Sequence, residues 1–254
     1  MKRLLPILFG VAMLSLWEAA VRLNHVPEYI VPGPVAILGA FGKDGGDLLA
    51  GLVVTLEVTA AALLLAALTG GGLAFLLAQS RLVEQTLFPY AVFLQVTPIV
   101  TIAPFIIIWV PNVFVVLLIL AWMAAVFPIL SNTLLGLKSA DANLRDLFRL
   151  YGASRWQTAR RLLLPSALPY FLGGLRISGG LALIGTVVAE MVAGTSGTRS
   201  GLASRLLEAS YRLELARAMA CFVLLSAAGF AIYWLLDILS RRLLRHWHES
   251  AKDS

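Results

Sequence analysis

Apolar residues in this chain are gathered into long runs that short polar segments separate. Six runs are long enough to cross a bilayer, because about 20 apolar helical residues span its hydrocarbon core. The predicted membrane-spanning helices are Leu4–Leu23, Leu52–Gln79, Thr86–Val110, Val113–Leu137, Leu168–Ala193 and Arg217–Ser240. We therefore predict an all-α membrane protein with about six transmembrane helices, in a single domain of residues 1–254.

The third predicted span contains three prolines, Pro89, Pro98 and Pro104. Proline removes a backbone donor and kinks a helix. In a membrane this is tolerated where neighbouring groups or water satisfy the freed backbone. Gln95 and Thr97 directly precede Pro98, so we expect Gln95, Thr97 and Pro98 to face protein or a substrate pathway.

The composition supports a bilayer environment for the whole chain. It is 59% hydrophobic and 13% charged, with a mean hydropathy of +0.87, whereas a soluble domain has about 25% charged residues. The net charge of +6 is explained by basic residues retained on one membrane side, so no nucleic-acid partner is expected. The first apolar run continues through Trp17 without a small-x-small cleavage site, which favours a retained helix over a signal peptide.

Basic residues are distributed unequally between the two sets of connecting segments. With the N-terminus inside, thirteen Lys and Arg are cytoplasmic and five are external, while Arg22 and Arg176 lie near span ends. Cytoplasmic segments of membrane proteins carry the excess of Lys and Arg. We therefore predict cytoplasmic N- and C-termini, with the segments around residues 24–51 and 194–216 outside.

The segment from Lys138 to Pro165 is a 28-residue polar interruption with six Lys and Arg, and the orientation above places it in the cytoplasm. An apolar stripe at helical spacing predicts a first amphipathic helix in it. The stripe consists of Leu144, Leu147, Phe148 and Tyr151.

A second short helix is predicted after a turn at Gly152, a residue that readily adopts positive φ at a helix end. Ser154 or a neighbour can cap this helix, which is expected to run from Trp156 to Leu164 and to stop at Pro165. From the residues alone, two interpretations stay open. The hairpin either lies on the membrane surface with its apolar stripe in the headgroups or docks a protein.

The spacing within this loop resembles a signature of permease subunits of ATP-binding-cassette (ABC) importers, which reads Glu-Ala-Ala, three residues, Gly, nine residues, then Ile-x-Leu-Pro. Here nine residues follow Gly152, and then Leu162 to Pro165 complete the pattern. Asp146, Leu147 and Phe148 occupy the Glu-Ala-Ala positions. The bulkier Leu and Phe imply a dedicated ATPase with a wider groove.

The resemblance continues over nearly the whole chain from about Trp17. The segments Pro32 to Pro34, Pro98 to Trp109 and Val188 to Met191 are similar to the nitrate/sulfonate/taurine-type subfamily, which includes importers of pyrimidine precursors. The resemblance implies a bacterial-type cytoplasmic membrane protein. It also implies four partners: a cytoplasmic ATPase, an external solute-binding protein, a second permease subunit as a homodimer, and membrane lipid.

The resemblance further implies that the hairpin acts as a coupling helix seated on the ATPase. The candidate coupling residues are Asp146, Leu147, Phe148, Tyr151, Gly152, Ala153, Ser154, Leu162, Leu164 and Pro165. The chain lacks the phosphate-loop pattern G-x-x-x-x-G-K-[ST]. We therefore expect no catalytic residue, metal ligand or cofactor on this chain, and we expect ATP and magnesium on the partner ATPase.

The fifth predicted span carries a small and polar residue at every fourth position: Gly174, Ser178, Ala182, Thr186 and Glu190. Small residues let membrane helices approach closely, and an ionisable residue within a span tends to face an interior or a cavity. The stripe is therefore a packing surface, a wall or gate of the substrate pathway, or both along its length. On the second interpretation Ser178, Thr186 and Glu190 line the pathway.

Two other function classes remain to be weighed. A secondary transporter also uses broken spans and buried carboxylates, but it would need no ATPase. An intramembrane protease could use Ser196 in the sequence Gly-Thr-Ser-Gly, but a serine nucleophile needs a histidine base within reach. Because His246 and His248 are predicted on the opposite membrane side and His25 lies in a loop, we favour the importer permease.

Overall fold

The computed structural model describes residues 5–193 and 200–245, apart from the side chain of Pro6. All regular structure in these ranges is helical. The helices are α1 Leu5–Leu23, α2 Pro34–Ala78, α3 Arg81–Val96, α4 Ile99–Trp109, α5 Val113–Lys138, α6 Ala142–Leu150, α7 Arg155–Thr158, α8 Leu164–Ala193, α9 Leu202–Tyr211 and α10 Leu215–Leu244, with a π-helical turn at Ala159–Leu163. Ser196, His246 and His248 of the protease alternative lie outside the described residues.

Four helical segments are long and apolar enough to cross a membrane: α2, α5, the continuous run Arg155–Ala193, and α10. The pair α3 and α4 makes a fifth if it counts as one broken span. The prediction of an all-α membrane protein is therefore confirmed, with four or five candidate spans among the described residues. The first predicted span is also a helix, α1, of 19 residues.

The second predicted span begins much earlier than expected. The sequence predicts a start at Leu52, but α2 begins at Pro34 and is 45 residues long. Proline is favoured at the first helical position, where its missing N–H would have no partner within the helix. The segment around residues 24–51 was predicted as an external connection, yet residues 34–51 are helical.

The third predicted span is broken rather than merely kinked. Its two helices, α3 and α4, meet at an angle of 98°. Thr97, with ψ at 121°, has the extended backbone that a following proline imposes, and Pro98 is the N-cap of α4. Pro89 and Pro104 lie inside helices and end neither of them. Of the three prolines, only Pro98 therefore marks a break.

The chain divides into two compact units, with the divisions falling inside α2 and α10. The first unit comprises Met1–Thr55 and Gly194–Ala227, and the second comprises Leu56–Ala193 and Ala228–Ser254. In the first unit, the Glu18 carboxylate accepts a hydrogen bond from the Val35 backbone N–H at 3.1 Å. A Cβ on Gly33 would lie 2.5 Å from that carboxylate, so a larger residue here would displace the Glu18 side chain.

An ion-pair cluster in the first unit joins the amino-terminal part of α2 to α9 and α10. Asp47 pairs with both Arg205 and Arg217, the latter at 2.9 Å. Arg205 also donates to the Asp47 backbone carbonyl at 2.6 Å. Because the partners are separated by more than 150 positions in sequence, no local pattern could have indicated this cluster.

In the second unit α5 and α8 pack extensively against each other. Glycines allow their backbones to approach. A Cβ on Gly174 would lie 2.7 Å from the Pro128 carbonyl oxygen, and one on Gly185 would lie 2.9 Å from the Ala121 Cα. Close approach through small residues is a principal means of association between membrane helices, so this seam is the structural centre of the second unit.

Candidate functional site

The polar interruption folds into a helical hairpin, and its first helix is α6. The Asp141 side chain caps α6 by accepting a hydrogen bond from the Asn143 backbone N–H at 2.7 Å. Aspartate is among the preferred N-cap residues. The predicted apolar stripe does not identify this cap, although an aspartate ahead of an amphipathic run is a recognisable signal.

Gly152 ends α6 in a left-handed conformation, with φ at +68°, as the sequence predicts. The Gly152 N–H donates to the Arg149 carbonyl at 3.0 Å, and the Ala153 N–H donates to the Phe148 carbonyl at 2.9 Å. These two bonds form a Schellman motif, the common glycine-dependent end of an α-helix. The direction in which the chain leaves α6 is therefore fixed by the backbone at Gly152.

Ser154 starts the second helix through a reciprocal capping box with Gln157. The Gln157 N–H donates to Ser154 Oγ at 3.2 Å, and the Ser154 N–H donates to Gln157 Oε1 at 2.8 Å. The predicted serine cap is thus confirmed. The pattern Ser-x-x-Gln is the sequence signal of this motif and would have identified Gln157.

Pro165 does not end the second helix, contrary to the prediction. The run Arg155–Ala193 is continuous, and α7 passes through the π-helical turn Ala159–Leu163 directly into α8. The Leu164 N–H bonds five residues back, to the Ala159 carbonyl. Proline has no N–H to donate, and it is accommodated here at the start of α8, immediately after the wider turn.

Five of the ten candidate coupling residues line one groove of about 430 Å³ at the elbow of the hairpin. Two further residues that the sequence analysis did not select, Gln157 and Arg161, complete its walls. The five are Leu147, Phe148, Tyr151, Gly152 and Ala153.

The other five candidates lie around this groove. Asp146 is exposed and forms a 3.4 Å ion pair with Arg149. Ser154 is the cap of α7, Leu162 is buried in the π-helical turn, and Leu164 and Pro165 begin α8.

The hairpin presents large apolar side chains that nothing in the described chain covers. Leu150 and Tyr151 are each 84% exposed, and Leu147 and Trp156 are also exposed. Apolar side chains gathered on an otherwise polar surface mark a protein or membrane contact. These exposed apolar side chains are consistent with both interpretations of the hairpin, as a docking surface and as a membrane-surface helix.

Two polar contacts lie where the hairpin follows α5. Arg145 Nη2 donates to the Leu137 carbonyl at 2.8 Å and so satisfies the end of α5. Lys138 forms a 2.5 Å ion pair with Glu84 near the start of α3. Neither contact could be predicted from the sequence, because the partners are 8 and 54 positions apart and follow no helical spacing.

The candidate pathway residues fall into two groups. Gln95, Thr97 and Pro98 lie at the break between α3 and α4, where Gln95 and Pro98 are exposed. Thr97 Oγ1 donates to the Phe93 carbonyl at 2.8 Å, which satisfies a backbone acceptor at the end of α3. This break offers amide and hydroxyl groups together with irregular backbone.

Ser178, Thr186 and Glu190 lie in a packed interior instead. Each is at most 1% exposed. Ser178 Oγ donates to the Ala125 carbonyl of α5 at 2.6 Å, and Thr59 of α2 donates to Thr186 at 3.1 Å. In this conformation the stripe on α8 therefore packs against α5 and α2, as the packing interpretation predicts.

Residues 62–245 match the family described as binding-protein-dependent transport system inner membrane component. The chain belongs to this family, because the match covers most of its length. Members are transport components, and this chain is the permease subunit of an ABC importer for small solutes.

Individual relatives cover three quarters or more of the chain. The riboflavin transport system permease protein RibX of Chloroflexus aurantiacus is 32% identical over 94% of this chain and 88% of its own. The formylaminopyrimidine transport permease protein ThiX of Halalkalibacterium halodurans is 32% identical over 76% and 77%. The putative aliphatic sulfonates transport permease protein SsuC of Bacillus subtilis is 28% identical over 96% and 87%.

A solved structure supports the fold independently. A chain of an amino acid ABC transporter with histidines superposes with a TM-score of 0.64 over 81% of this chain and 96% of its own. The sequence identity is 15%, so the likeness concerns the fold alone.

Proposed function

We propose that the hairpin α6–α7 is the surface through which a separate cytoplasmic ATPase drives this importer. The observation that carries the proposal is the groove at the elbow, with exposed Leu147 and Tyr151 beside a turn fixed by Gly152. A rigid turn holds a docking surface in one shape and lowers the entropy cost of association. ATP and magnesium would be bound by the partner, and this chain would transmit the motion.

Transport energetics test this proposal against a secondary transporter. Membrane vesicles that contain the chain and its partners would be supplied either with ATP or with a proton gradient alone. Uptake that requires ATP and survives collapse of the gradient supports the importer. Uptake that follows the gradient without ATP contradicts it.

We propose that one domain, residues 1–254, crosses the membrane six times with both termini in the cytoplasm. The 19-residue α1 would be about 28 Å long, which suits a bilayer core, and its apolar side chains are exposed. The pair α3–α4 would form one broken span. The excess of Lys and Arg in the segments on one side supports this orientation. A phosphatase reporter that is active only outside the cell should be inactive after Tyr151 and active after Tyr211.

We propose that the solute passes between two copies of this chain and is delivered by an external binding protein. The break between α3 and α4 would line the pathway with Gln95, Thr97 and Pro98. Irregular backbone at membrane depth is tolerated where it is buried in protein or lines a water-filled cavity. The proposal leaves out Ser178, Thr186 and Glu190, because their side chains are buried in the packed interior.

We propose that the solute is a flat organic molecule of the heterocyclic kind named for RibX and ThiX. Residues 82–137 contain no Lys, Arg or His, so this region has no cation for a strongly anionic solute. It carries exposed aromatic side chains instead, including Tyr90, Phe93 and Trp109. Aromatic faces stack on flat heterocycles.

Uptake of labelled solutes by cells with and without this chain tests the solute class. Cells with and without this chain would be given labelled riboflavin, labelled formylaminopyrimidine and a labelled aliphatic sulfonate. We expect loss of the chain to reduce uptake of a heterocycle. Loss of sulfonate uptake alone would assign the chain to the solute class named for SsuC.

A further inference from the structure

A second cavity shares Ala153 with the groove at the elbow, but its other lining residues have no role in the function proposed above. Its volume is about 420 Å³, and its polar walls come from Gln79, Arg145, Arg149, Arg155 and Thr158. Three of these are arginines, and no carboxylate is among the lining residues. Three guanidinium groups around one small space repel one another unless an anion lies between them.

Arg145 supplies the most specific feature of this cavity. Its Nη2 donates to the Leu137 carbonyl, which fixes the guanidinium plane. Its Nε is buried and has no hydrogen-bond partner among the described residues. A buried donor without a partner is costly, most of all on a charged group, so Arg145 brings an incompletely hydrogen-bonded guanidinium to the cavity lining.

The other two arginines remain available to a ligand. Arg149 has one 3.4 Å contact, to Asp146, and both side chains are largely exposed, so this pair is weak. Arg155 is exposed in the first turn of α7. The guanidinium fork matches a phosphate group through two parallel N–H···O bonds.

The position of the cavity limits the source of such an anion. Gln79 directly follows the last residue of α2, and Leu163 of the lining belongs to the turn that leads into α8. In the orientation proposed above, both points are at the cytoplasmic membrane surface. Basic pockets between helices at this surface bind lipid headgroups.

We propose that this cavity is a binding site for a phosphate group, held by Arg145, Arg149 and Arg155. The phosphate belongs either to an anionic phospholipid or to a soluble phosphate anion, and the chemistry of recognition is the same. The site shares Ala153 with the groove at the elbow, and its lining includes none of the proposed pathway residues.

Native mass spectrometry of the full-length chain in detergent tests the site with three probes: phosphatidylglycerol, phosphatidylcholine and inorganic phosphate. The test variant is Arg149→Gln/Arg155→Gln. The matched control is Arg160→Gln/Arg242→Gln, which removes the same charge from exposed arginines outside the cavity lining. Losing two charge-assisted contacts should weaken phosphatidylglycerol binding about tenfold or more, while the control changes it about twofold at most.

The outcomes separate the two sources and can also reject the site. Tight phosphatidylglycerol binding that inorganic phosphate does not displace assigns a lipid headgroup. Displacement by phosphate, with the same dependence on Arg149 and Arg155, assigns a soluble anion. Equal binding by the wild type and the test variant, or equal loss in the control, overturns the proposal. Unchanged phosphatidylcholine binding and elution volume show that the test variant is folded.

Discussion

Substitutions at Gly152 distinguish the effect of backbone conformation at the hairpin turn from the effect of side-chain bulk on ATPase docking. With φ at +68°, Gly152 occupies a region that alanine enters at a cost of about 1–2 kcal/mol. A Cβ built on Gly152 meets no atom within 4 Å, so the cost within the subunit is conformational. Asparagine visits this region more readily.

Proline at this position is expected to do the most damage. It fixes φ near −65° and removes the N–H that donates to the Arg149 carbonyl. The Schellman motif is then lost, and the chain leaves α6 in a different direction. We predict retention of the ATPase in the order Gly, Asn, Ala, Pro. The cost for alanine corresponds to association about 5–30-fold weaker than in the wild type.

Co-purification of the ATPase with the tagged chain in detergent measures this order. Gly180→Ala is the matched control, because Gly180 also has no neighbour within 4 Å of a built Cβ and lies in α8. All variants should be extracted in equal amounts. Full retention by the proline variant would refute the docking role, and an asparagine variant as defective as proline would show that bulk, not backbone conformation, matters.

Three further predictions concern packing and capping. Gly185→Ala should lower thermal stability in detergent, because its Cβ would lie 2.9 Å from α5 and overpacking costs about 1–3 kcal/mol. Gly180→Ala should leave stability unchanged, and equal melting temperatures of the two variants would contradict the close packing of α5 against α8. Ser154→Ala removes the cap of α7, which costs about 1 kcal/mol. ATPase retention should therefore fall, but less than in the proline variant at Gly152. Unchanged retention would show that docking does not need the cap. Ser178→Ala removes a buried hydrogen bond worth about 1 kcal/mol and should lower stability while leaving the KM for transport unchanged; a raised KM would place Ser178 in the pathway.

Long apolar runs were sufficient to predict α5 and α10, because a membrane helix needs little else. The predicted span Val113–Leu137 and helix α5 differ by one residue at one end. The turn at Gly152 was also predictable, since glycine after an amphipathic run is a local signal. The positions of Gln95 and Thr97 near an irregular break followed from Pro98.

Features that depend on distant partners were not predictable. The first half of α2 is rich in glycine and charge, and Asp47 within it is paired with arginines far along the sequence. Helix α9 lies in a segment predicted as an external connection. At its start the Leu202 N–H donates to Thr55 Oγ1 at 2.8 Å. The cavity with three arginines likewise needs α2 and the hairpin to be placed together.

Site-specific photocrosslinking measures most directly whether the hairpin docks the ATPase. A photoreactive amino acid would replace Tyr151 in the hairpin, which is 84% exposed, or Tyr211 of α9, which is 80% exposed. The two positions match in residue type and exposure. We predict a crosslink to the ATPase from position 151 and none from position 211. A crosslink to the ATPase from 211, or crosslinks from 151 to lipid only, would contradict the docking role.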